Sequence, residues 1–336
     1  MEVFKDGEKI MRAMVTGAGG WLGRTLLDKL SSAGYKMVCV DFWPGSIPHP
    51  LRSRKNLAFV KGDIRSPESF LDDMKGCDAV FNCAGMQHPK RTSELYKINA
   101  HAPGKILQCC QKAKVRRFIH VSSSSVYGSN RAGQPFTEKS PFAPLTHYAI
   151  SKAQGDLSLL KSGKSSSTDI IILRPGVFYG TSPSPNMASL VGMVKKRRIV
   201  LFGKRGFLRT YVDISKVADA LLAAHEHGKR NEAYLIGDEN PMDTLSLYES
   251  VAAPLNVRLA PLRLPVALSR LCEKAALLGG YLNIHLKYPN IAGEFGRDHF
   301  FSCEKAKKQL YYTPHPSSAE GLRLMAAAVA AAAKCA

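Results

Sequence analysis

Tyr148 and Lys152 stand four residues apart and could together move a proton. On a helix this spacing is about one turn, so both side chains project from the same face. A tyrosine with its ordinary pKa of about 10 is a poor base at neutral pH. A neighbouring ammonium group stabilises the phenolate, so we expect Lys152 to lower the pKa of Tyr148. Such a pair also occurs on solvent-facing helices, so its context has to decide.

A run of hydroxyl side chains, 122–125, provides that context. It directly follows the strand-like segment 117–121, about 25 residues before Tyr148. Open α/β sheets bind their ligands at the carboxyl ends of the strands. One serine of this run could therefore orient a reacting oxygen beside Tyr148, which favours acid–base chemistry over a solvent-facing pair.

A glycine-rich segment predicts a dinucleotide site. Gly17, Gly20 and Gly23 follow the first strand-like run and open a helical pattern. Glycines let the backbone turn sharply and approach a pyrophosphate, which the free N–H groups and the positive end of the helix attract. The next strand-like run ends at Asp41, whose carboxylate can accept hydrogen bonds from ribose hydroxyls and would repel a 2′-phosphate. The sequence favours NAD over NADP, although the basic run 52–55 leaves NADP open.

The elements that must position these residues alternate along the chain. Short apolar, β-branched runs alternate with longer helical patterns, which predicts a doubly wound α/β fold of the Rossmann type. The predicted strands are 13–16, 37–40, 57–60, 79–82, 117–121 and 170–173, and the predicted helices include 22–33, 99–112, 148–160, an amphipathic helix at 264–282 and a terminal helix at 326–333.

The length of 336 residues fits one large domain with appendages or two modest domains. We expect an NAD-binding Rossmann domain over 11–180, to which 210–238 returns. A smaller α/β substrate-binding region is expected over 181–209 and 239–325, followed by an alanine-rich tail at 326–336.

Composition and charge bound the class of protein. Hydrophobic residues make up 45% and charged residues 22%, as in ordinary globular proteins. The formal net charge of +20 favours anionic ligands, acidic partners or an anionic membrane surface without choosing among them. The densest basic run, 195–198, predicts a solvated helix end, and we expect no nucleic-acid partner.

The eight cysteines form neither a CxxC pair nor a Cys/His cluster of metal-site spacing, so we expect no metal and buried free thiols. The first residues lack the apolar stretch of a secretory signal, and charged residues interrupt the apolar segment 264–282. We expect a cytoplasmic protein without a membrane span, for which peripheral membrane contact stays open.

Seven motifs extend over nearly the whole chain: Gly17-x-x-Gly20-x-x-Gly23, Asp41, Gly62-Asp63-Ile64, Asn99, Ser123 with Val126-Tyr127-Gly128, Tyr148-x-x-x-Lys152 and Arg174-Pro175. Together they resemble the extended short-chain dehydrogenase/reductase family, in the NAD-dependent epimerase/dehydratase superfamily. The resemblance implies that Tyr148 is the acid and base and that Lys152 binds the nicotinamide ribose and tunes Tyr148. It also implies that Ser123 holds the substrate oxygen, with Ser124 as the neighbouring alternative.

The same resemblance implies further cofactor contacts and a homodimer. The cofactor contacts are Trp21 and Leu22 in the glycine segment, Asp63 and Ile64 at the adenine, Ala84 and Gly85 along the cofactor backbone, Asn99 in a structural or cofactor-proximal role, and Pro175 at the nicotinamide. The dimer would form through the two helices 99–112 and 148–160. His88, His101 and His147 match no acid or base position of the family and are read as ordinary polar or packing residues.

Two branches of the family compete for the substrate. Arg209 falls where nucleotide-sugar epimerases and dehydratases place an arginine on the substrate pyrophosphate. Val177 stands where those enzymes usually have an asparagine, and the segments 264–271 and 298–306 resemble the 3β-hydroxysteroid dehydrogenase branch. We expect a dehydrogenase for a sterol-like substrate. A 4-epimerase or dehydratase for UDP- or GDP-sugars is the alternative, and a non-catalytic NAD-binding protein is the second.

Overall fold

The computed structural model describes residues 10–43, 51, 53–130, 133–181 and 185–335. Apolar, β-branched runs form its strands, because branched side chains pack well on a pleated surface. Within that part of the chain the strands are β1 (Arg12–Thr16), β2 (Lys36–Asp41), β3 (Leu57–Lys61), β4 (Ala79–Asn82), β5 (Arg117–Val121), β6 (Asp169–Pro175), β7 (Val177–Tyr179), β8 (Val200–Phe202), β9 (Leu208–Arg209), β10 (Tyr211–Asp213), β11 (Glu232–Ile236), β12 (Met242–Asp243) and β13 (Leu262–Leu264).

Helices alternate with these strands. Among the described residues they are α1 (Trp21–Ser32), α2 (Leu71–Met74), α3 (Ser93–Leu95), α4 (Ala102–Lys112), α5 (His147–Gly163), α6 (Pro185–Lys195), α7 (Ile214–His227), α8 (Thr244–Ala252), α9 (Val266–Tyr281), α10 (Lys287–Phe295), α11 (Glu304–Leu310) and α12 (Ser318–Cys335). A π-helical turn, Tyr96–His101, precedes α4. The predicted helix 99–112 is therefore α-helical only from Ala102.

The central sheet has seven strands in the order β11-β6-β5-β4-β1-β2-β3, and each strand runs parallel to its neighbours. This arrangement confirms the predicted doubly wound α/β fold and each of the six predicted strands. The chain order reverses between β1 and β4. In open parallel sheets such a switch point leaves a crevice at the carboxyl ends of the strands, where ligands bind.

Two apolar layers hold the helices on the sheet. On one face Leu26 and Leu30 of α1 pack with Val217 and Leu221 of α7. On the other face α4 and α5 cover the sheet and bury apolar side chains such as Ile106. Because both faces are covered, most residues of the inner strands are apolar and buried, and polar residues do not alternate with them regularly.

A smaller core lies after the main sheet. Leu201 of β8, Leu247 of α8 and Met325 of α12 are buried together there. The alanine-rich stretch is the second half of α12. Since β11 pairs with β6, residues 232–236 belong to the main sheet. The domain boundaries expected from the sequence stay a prediction.

The helices α9 and α10 form a hairpin that lies against the start of α5. A Cβ on Gly293 of α10 would lie 2.8 Å from Cβ of Glu273, so the two helices touch closely. The His147 ring packs on Gly280 of α9, and its Nε2 lies 3.0 Å from the Leu277 carbonyl oxygen. The predicted amphipathic helix 264–282 is thus present as α9.

The basic run at the end of α6 is exposed, as expected. Three segments discussed from the sequence, the N-terminal residues 1–9, Arg52 and the turn 182–184, lie outside the described residues. No helix among the described residues is long and apolar enough to cross a membrane.

Candidate active site

The glycine segment lies at the switch point of the sheet, between β1 and α1. Gly17 has φ +68°, and a Cβ at this position would lie 2.7 Å from the backbone N of Ala84, just after β4. A Cβ on Gly23 would lie 2.2 Å from the Gly17 carbonyl oxygen. Only glycine permits these approaches. They leave backbone N–H groups at the start of α1, as a bound pyrophosphate requires.

Asp41 ends β2 beside this segment. One carboxylate oxygen accepts a hydrogen bond from the Gly19 N–H at 2.8 Å, and the other accepts one from the Trp43 N–H at 3.2 Å. The basic run that left NADP open contributes Arg54, whose guanidinium pairs with Asp28 of α1 at 2.8 Å. The residues therefore fit a dinucleotide whose adenosine ribose carries free hydroxyls.

Asp63 and Ile64 follow β3 at the same edge of the sheet. The Arg65 guanidinium donates to Asp63, with Nε 2.8 Å from Oδ2, and this hydrogen bond holds the pKa of Asp63 below its ordinary value. Ile64 is buried. The Asp63 carboxylate stays ionised and able to accept a hydrogen bond.

Asn99 acts through the backbone after Gly85. Its side-chain amide accepts from the Met86 N–H at 3.0 Å and donates to the Met86 carbonyl at 2.8 Å. The same amide nitrogen lies 3.1 Å from the Ser151 hydroxyl on α5. Asn99 thus ties the loop after β4 to α5, which is a structural role close to the predicted cofactor path.

Ser123 and Tyr148 meet at the end of β5. The Ser123 hydroxyl favours the charged form of Tyr148 and so lowers its pKa, but burial has the larger effect and raises this pKa to about 12. The expected lowering by Lys152 is therefore wrong in this geometry. The Lys152 ammonium group donates to the Val121 carbonyl oxygen at 3.0 Å. Tyr148 is a protonated phenol at neutral pH.

Lys152 is only 4% exposed, and burial lowers its pKa to about 8. The carboxylate of Asp156, one turn further along α5, opposes this shift. Asp156 also forms a buried ion pair with Arg174, with Nε 2.8 Å from Oδ2, and Arg174 reaches the Tyr127 hydroxyl at 2.5 Å. This buried network fixes the charge surroundings of Lys152.

Ser124 points to a different partner, His299. Burial lowers the pKa of His299 to about 3, so the ring is neutral. Its Nδ1 lies 2.7 Å from the Gly128 carbonyl oxygen, which can only accept, so this nitrogen carries the proton. Nε2 then accepts from the Ser124 hydroxyl at 2.9 Å. The structure places Ser123, and not Ser124, against Tyr148.

A cavity of about 720 Å³ opens beside Ser123 and Tyr148. Most of its lining is apolar or aromatic and includes Trp21, Pro175 and Val177. Trp21 meets Phe178 edge-on, with ring centroids 6.4 Å apart. The cavity therefore joins the glycine segment to the paired hydroxyls, and an apolar substrate body would fit its wall.

Arg209 lines the same cavity and is almost buried. Its guanidinium donates to the Glu294 carbonyl oxygen and lies over the Phe295 ring, 5.5 Å from the centroid. Arg297, also in the lining, pairs with Glu273 at 2.7 Å. The charge of Arg209 faces no carboxylate in these contacts, so it can attract an anionic group of a ligand.

Two features of this site were missed from the sequence. Asp156 stands four residues after Lys152 on one helix face, and this spacing could have revealed it. His299 is 175 residues from Ser124, and no local pattern connects them. Among the described residues no group of three or more His, Cys, Asp or Glu side chains could hold a metal ion.

Comparison of the sequence with known proteins identifies the family of this chain. Residues 13–237 match the model of the NAD dependent epimerase/dehydratase family. The chain is 26% identical to 2-alkyl-3-oxoalkanoate reductase of Shewanella oneidensis, covering 96% of this chain and 87% of that protein. It is 27% identical to UDP-glucose 4-epimerase of Vibrio cholerae, covering 75% of this chain and 78% of that protein.

Solved structures share the fold. The dTDP-glucose 4,6-dehydratase of Bacillus anthracis, crystallised in complex with NAD, superposes with a TM-score of 0.77 at 20% identity. The match covers 96% of this chain and 98% of that one.

Proposed function

Since the chain belongs to the NAD-dependent epimerase/dehydratase family, we propose that it is an NAD-dependent oxidoreductase that transfers a hydride at a secondary alcohol or ketone. The substrate proposed is sterol-like, or another ketone with a large apolar body. One observation carries the proposal: Ser123 and Tyr148 line the same largely apolar cavity, and Lys152 lies one turn after Tyr148 on the same helix.

The glycine segment supports NAD as the cofactor. Gly17, Gly20, Trp21, Leu22 and Gly23 would hold the pyrophosphate, and Asp41 the adenosine ribose. The remaining contacts proposed are Asp63 and Ile64 at the adenine, Ala84, Gly85 and Asn99 along the cofactor path, and Pro175 and Lys152 at the nicotinamide end. Bound NAD supplies or accepts the hydride.

Tyr148 transfers the proton in the proposed reaction, and Ser123 assists it. Because the pKa of Tyr148 lies well above neutral pH, its phenol is protonated and can donate a proton to a carbonyl oxygen as that carbon is reduced. Ser123 holds the same oxygen by a hydrogen bond. In the opposite direction Tyr148 takes the proton back. Tyr148 is thus the proton donor in the proposed reduction.

The cavity wall supports an apolar substrate. Val177 presents an aliphatic side chain to the cavity, and 2-alkyl-3-oxoalkanoate reductase, one of the relatives, carries an alkyl ketone substrate in its name. Arg209 favours the second candidate, a nucleotide-sugar epimerase or dehydratase, because a guanidinium in the cavity can bind a diphosphate.

A substrate panel separates these candidates. Purified chain is incubated with NAD or NADH and either 3β-hydroxysteroids and their ketones or UDP- and GDP-sugars. Absorbance of NADH is followed, and sugar products are separated by chromatography. Net oxidation or reduction of a sterol supports the proposal. A rearranged sugar without net NADH would replace it by the second candidate, and turnover of neither panel would contradict both.

We further propose that the protein is cytoplasmic and forms a homodimer through α4 and α5, as the family resemblance implies. Sedimentation of the purified chain tests the dimer.

A further inference from the structure

The exposed face of α9 is unusually apolar. Leu268, Leu271 and Leu278 recur at helical spacing along this side, and Leu282, the residue that caps the helix, continues the row. Leu278 is 64% exposed. Ser269, Ala276 and Gly280 are buried on the opposite side against the rest of the protein. The helix therefore packs on the protein through one side and exposes leucines to solvent on the other.

The apolar surface continues beyond α9. Tyr281 at the end of α9, Ile284 in the turn and Tyr288 in the first turn of α10 are exposed, and Tyr288 is 80% exposed. Eight of the sixteen large exposed hydrophobic side chains in the described part of the chain lie between 262 and 288. A concentration of this kind marks an interaction surface. We name these seven side chains, with Leu262, the hairpin patch: Leu262, Leu268, Leu271, Leu278, Tyr281, Leu282, Ile284 and Tyr288.

The charges around the hairpin patch are almost all positive. Exposed cations flank it, and the segment 256–293 contains one carboxylate, that of Glu273, which pairs with Arg297 at 2.7 Å and lies 3.9 Å from the flanking Arg270. The flanking cations are Arg258, Arg263, Arg270, Lys274 and Lys287. The net charge of the whole chain has the same sign, at +20.

We propose that the hairpin patch docks the protein on an anionic phospholipid bilayer. The leucines and tyrosines enter the boundary between head groups and acyl chains, and the flanking cations meet the anionic head groups. A second copy of this chain fits less well, because two identical basic surfaces would repel each other. A helix that lies in the interface also needs no membrane-spanning length.

Docking would put the cavity opening at the membrane. Leu268 and Tyr288 of the hairpin patch, together with Lys287, also line the cavity. An apolar substrate could then enter from the lipid without crossing water. This consequence rests on the proposed function, whereas docking itself does not.

Vesicle co-sedimentation of the full chain, without substrate or cofactor, tests the docking alone. The probes are vesicles of phosphatidylcholine and vesicles that also contain phosphatidylglycerol. We expect binding to the anionic vesicles and little to the neutral ones. Replacing Leu271 and Leu278 together by Ser should weaken anionic vesicle binding roughly tenfold or more. Replacing Arg270 and Lys274 by Gln should weaken it roughly fivefold per charge.

Leu324→Ser is the matched control, since Leu324 on α12 is 55% exposed and lies outside the hairpin patch. Thermal unfolding of each variant shows whether it is folded. Binding that Leu324→Ser preserves and that Leu271→Ser with Leu278→Ser loses supports the proposal. Absence of vesicle binding, binding that the leucine variants leave unchanged, or a dimer that those variants disperse would each overturn it. Because no turnover is measured, failure here leaves the proposed function untouched.

Discussion

The protonation states at the scale of single residues follow from burial more than from neighbouring charges. Tyr148 lies half-buried beside Ser123 in the cavity wall, and desolvation raises its pKa, while burial lowers the pKa of Lys152. Both shifts disfavour the charged form. At neutral pH Tyr148 is therefore a neutral phenol that can donate a proton. The ammonium group of Lys152 loses its charge in mildly alkaline solution.

Lys152 should produce a limb in the pH profile. Its charge is largely present at neutral pH and is lost as the pH rises through about 8. The kcat/KM for carbonyl reduction should then be flat at neutral pH and fall above this point. Steady-state rates at constant ionic strength measure the profile. Lys152→Arg, which keeps the charge, should remove the limb. A wild-type profile that stays flat, or a limb that survives in Lys152→Arg, would contradict the assignment.

At the scale of elements, short strands deliver each group to one edge of the sheet. β1 delivers Gly17, β2 delivers Asp41 and β5 delivers Ser123, while α5 carries Tyr148 and Lys152 across the end of β5. The positive end of α1 faces the same crevice. The site is thus an assembly of strand ends around the switch point between β1 and β4.

Gly23→Ala tests whether the glycine segment serves the cofactor. The added methyl group would lie 2.2 Å from the Gly17 carbonyl oxygen, so the turn must open. We expect NAD binding, measured by fluorescence titration, to weaken about tenfold or more. Gly192→Ala in α6 is the control, because its Cβ meets nothing within 4 Å. It should preserve NAD binding and stabilise the fold by about 0.5–1 kcal/mol. Equal NAD affinity in both variants would refute the role of Gly23.

The sequence predicts the strands well, because a parallel sheet buried on both faces requires continuous apolar runs. It also identifies the pairing of Tyr148 with Lys152, since helical spacing is local. It does not show that Lys152 donates to the Val121 carbonyl, nor how deeply Tyr148 is buried. The predicted lowering of the Tyr148 pKa is wrong for that reason. The contact of His299 with Ser124 is equally non-local.

The whole molecule combines a covered sheet, a smaller second core and a helical hairpin beside the cavity. The hairpin helices α9 and α10 lie between the start of α5 and solvent, so they bound the substrate side, while the glycine segment bounds the cofactor side. Binding of a dinucleotide to this folded arrangement, and not to the unfolded chain, stabilises the molecule.

Thermal unfolding should therefore distinguish the two dinucleotides. At a hundred times its Kd, NAD should raise the stability by about 2.7 kcal/mol and the Tm by about 4 °C. NADP at the same concentration should raise the Tm less, because Asp41 repels the 2′-phosphate and weakens NADP binding. Asp41→Ala should narrow this difference. A larger Tm increase with NADP than with NAD in the wild-type chain would show that the cofactor assignment is wrong.

The most direct test of the account is the turnover of Tyr148→Phe with the substrate found in the panel. This variant removes one hydroxyl and keeps the ring, and Tyr311→Phe makes the same change at an exposed residue outside the cavity lining. NADH oxidation and NADH binding are measured on both. We predict that Tyr148→Phe binds NADH normally and loses turnover by roughly a hundredfold or more, whereas Tyr311→Phe keeps both. Undiminished turnover in Tyr148→Phe would contradict the central claim that Tyr148 moves the proton.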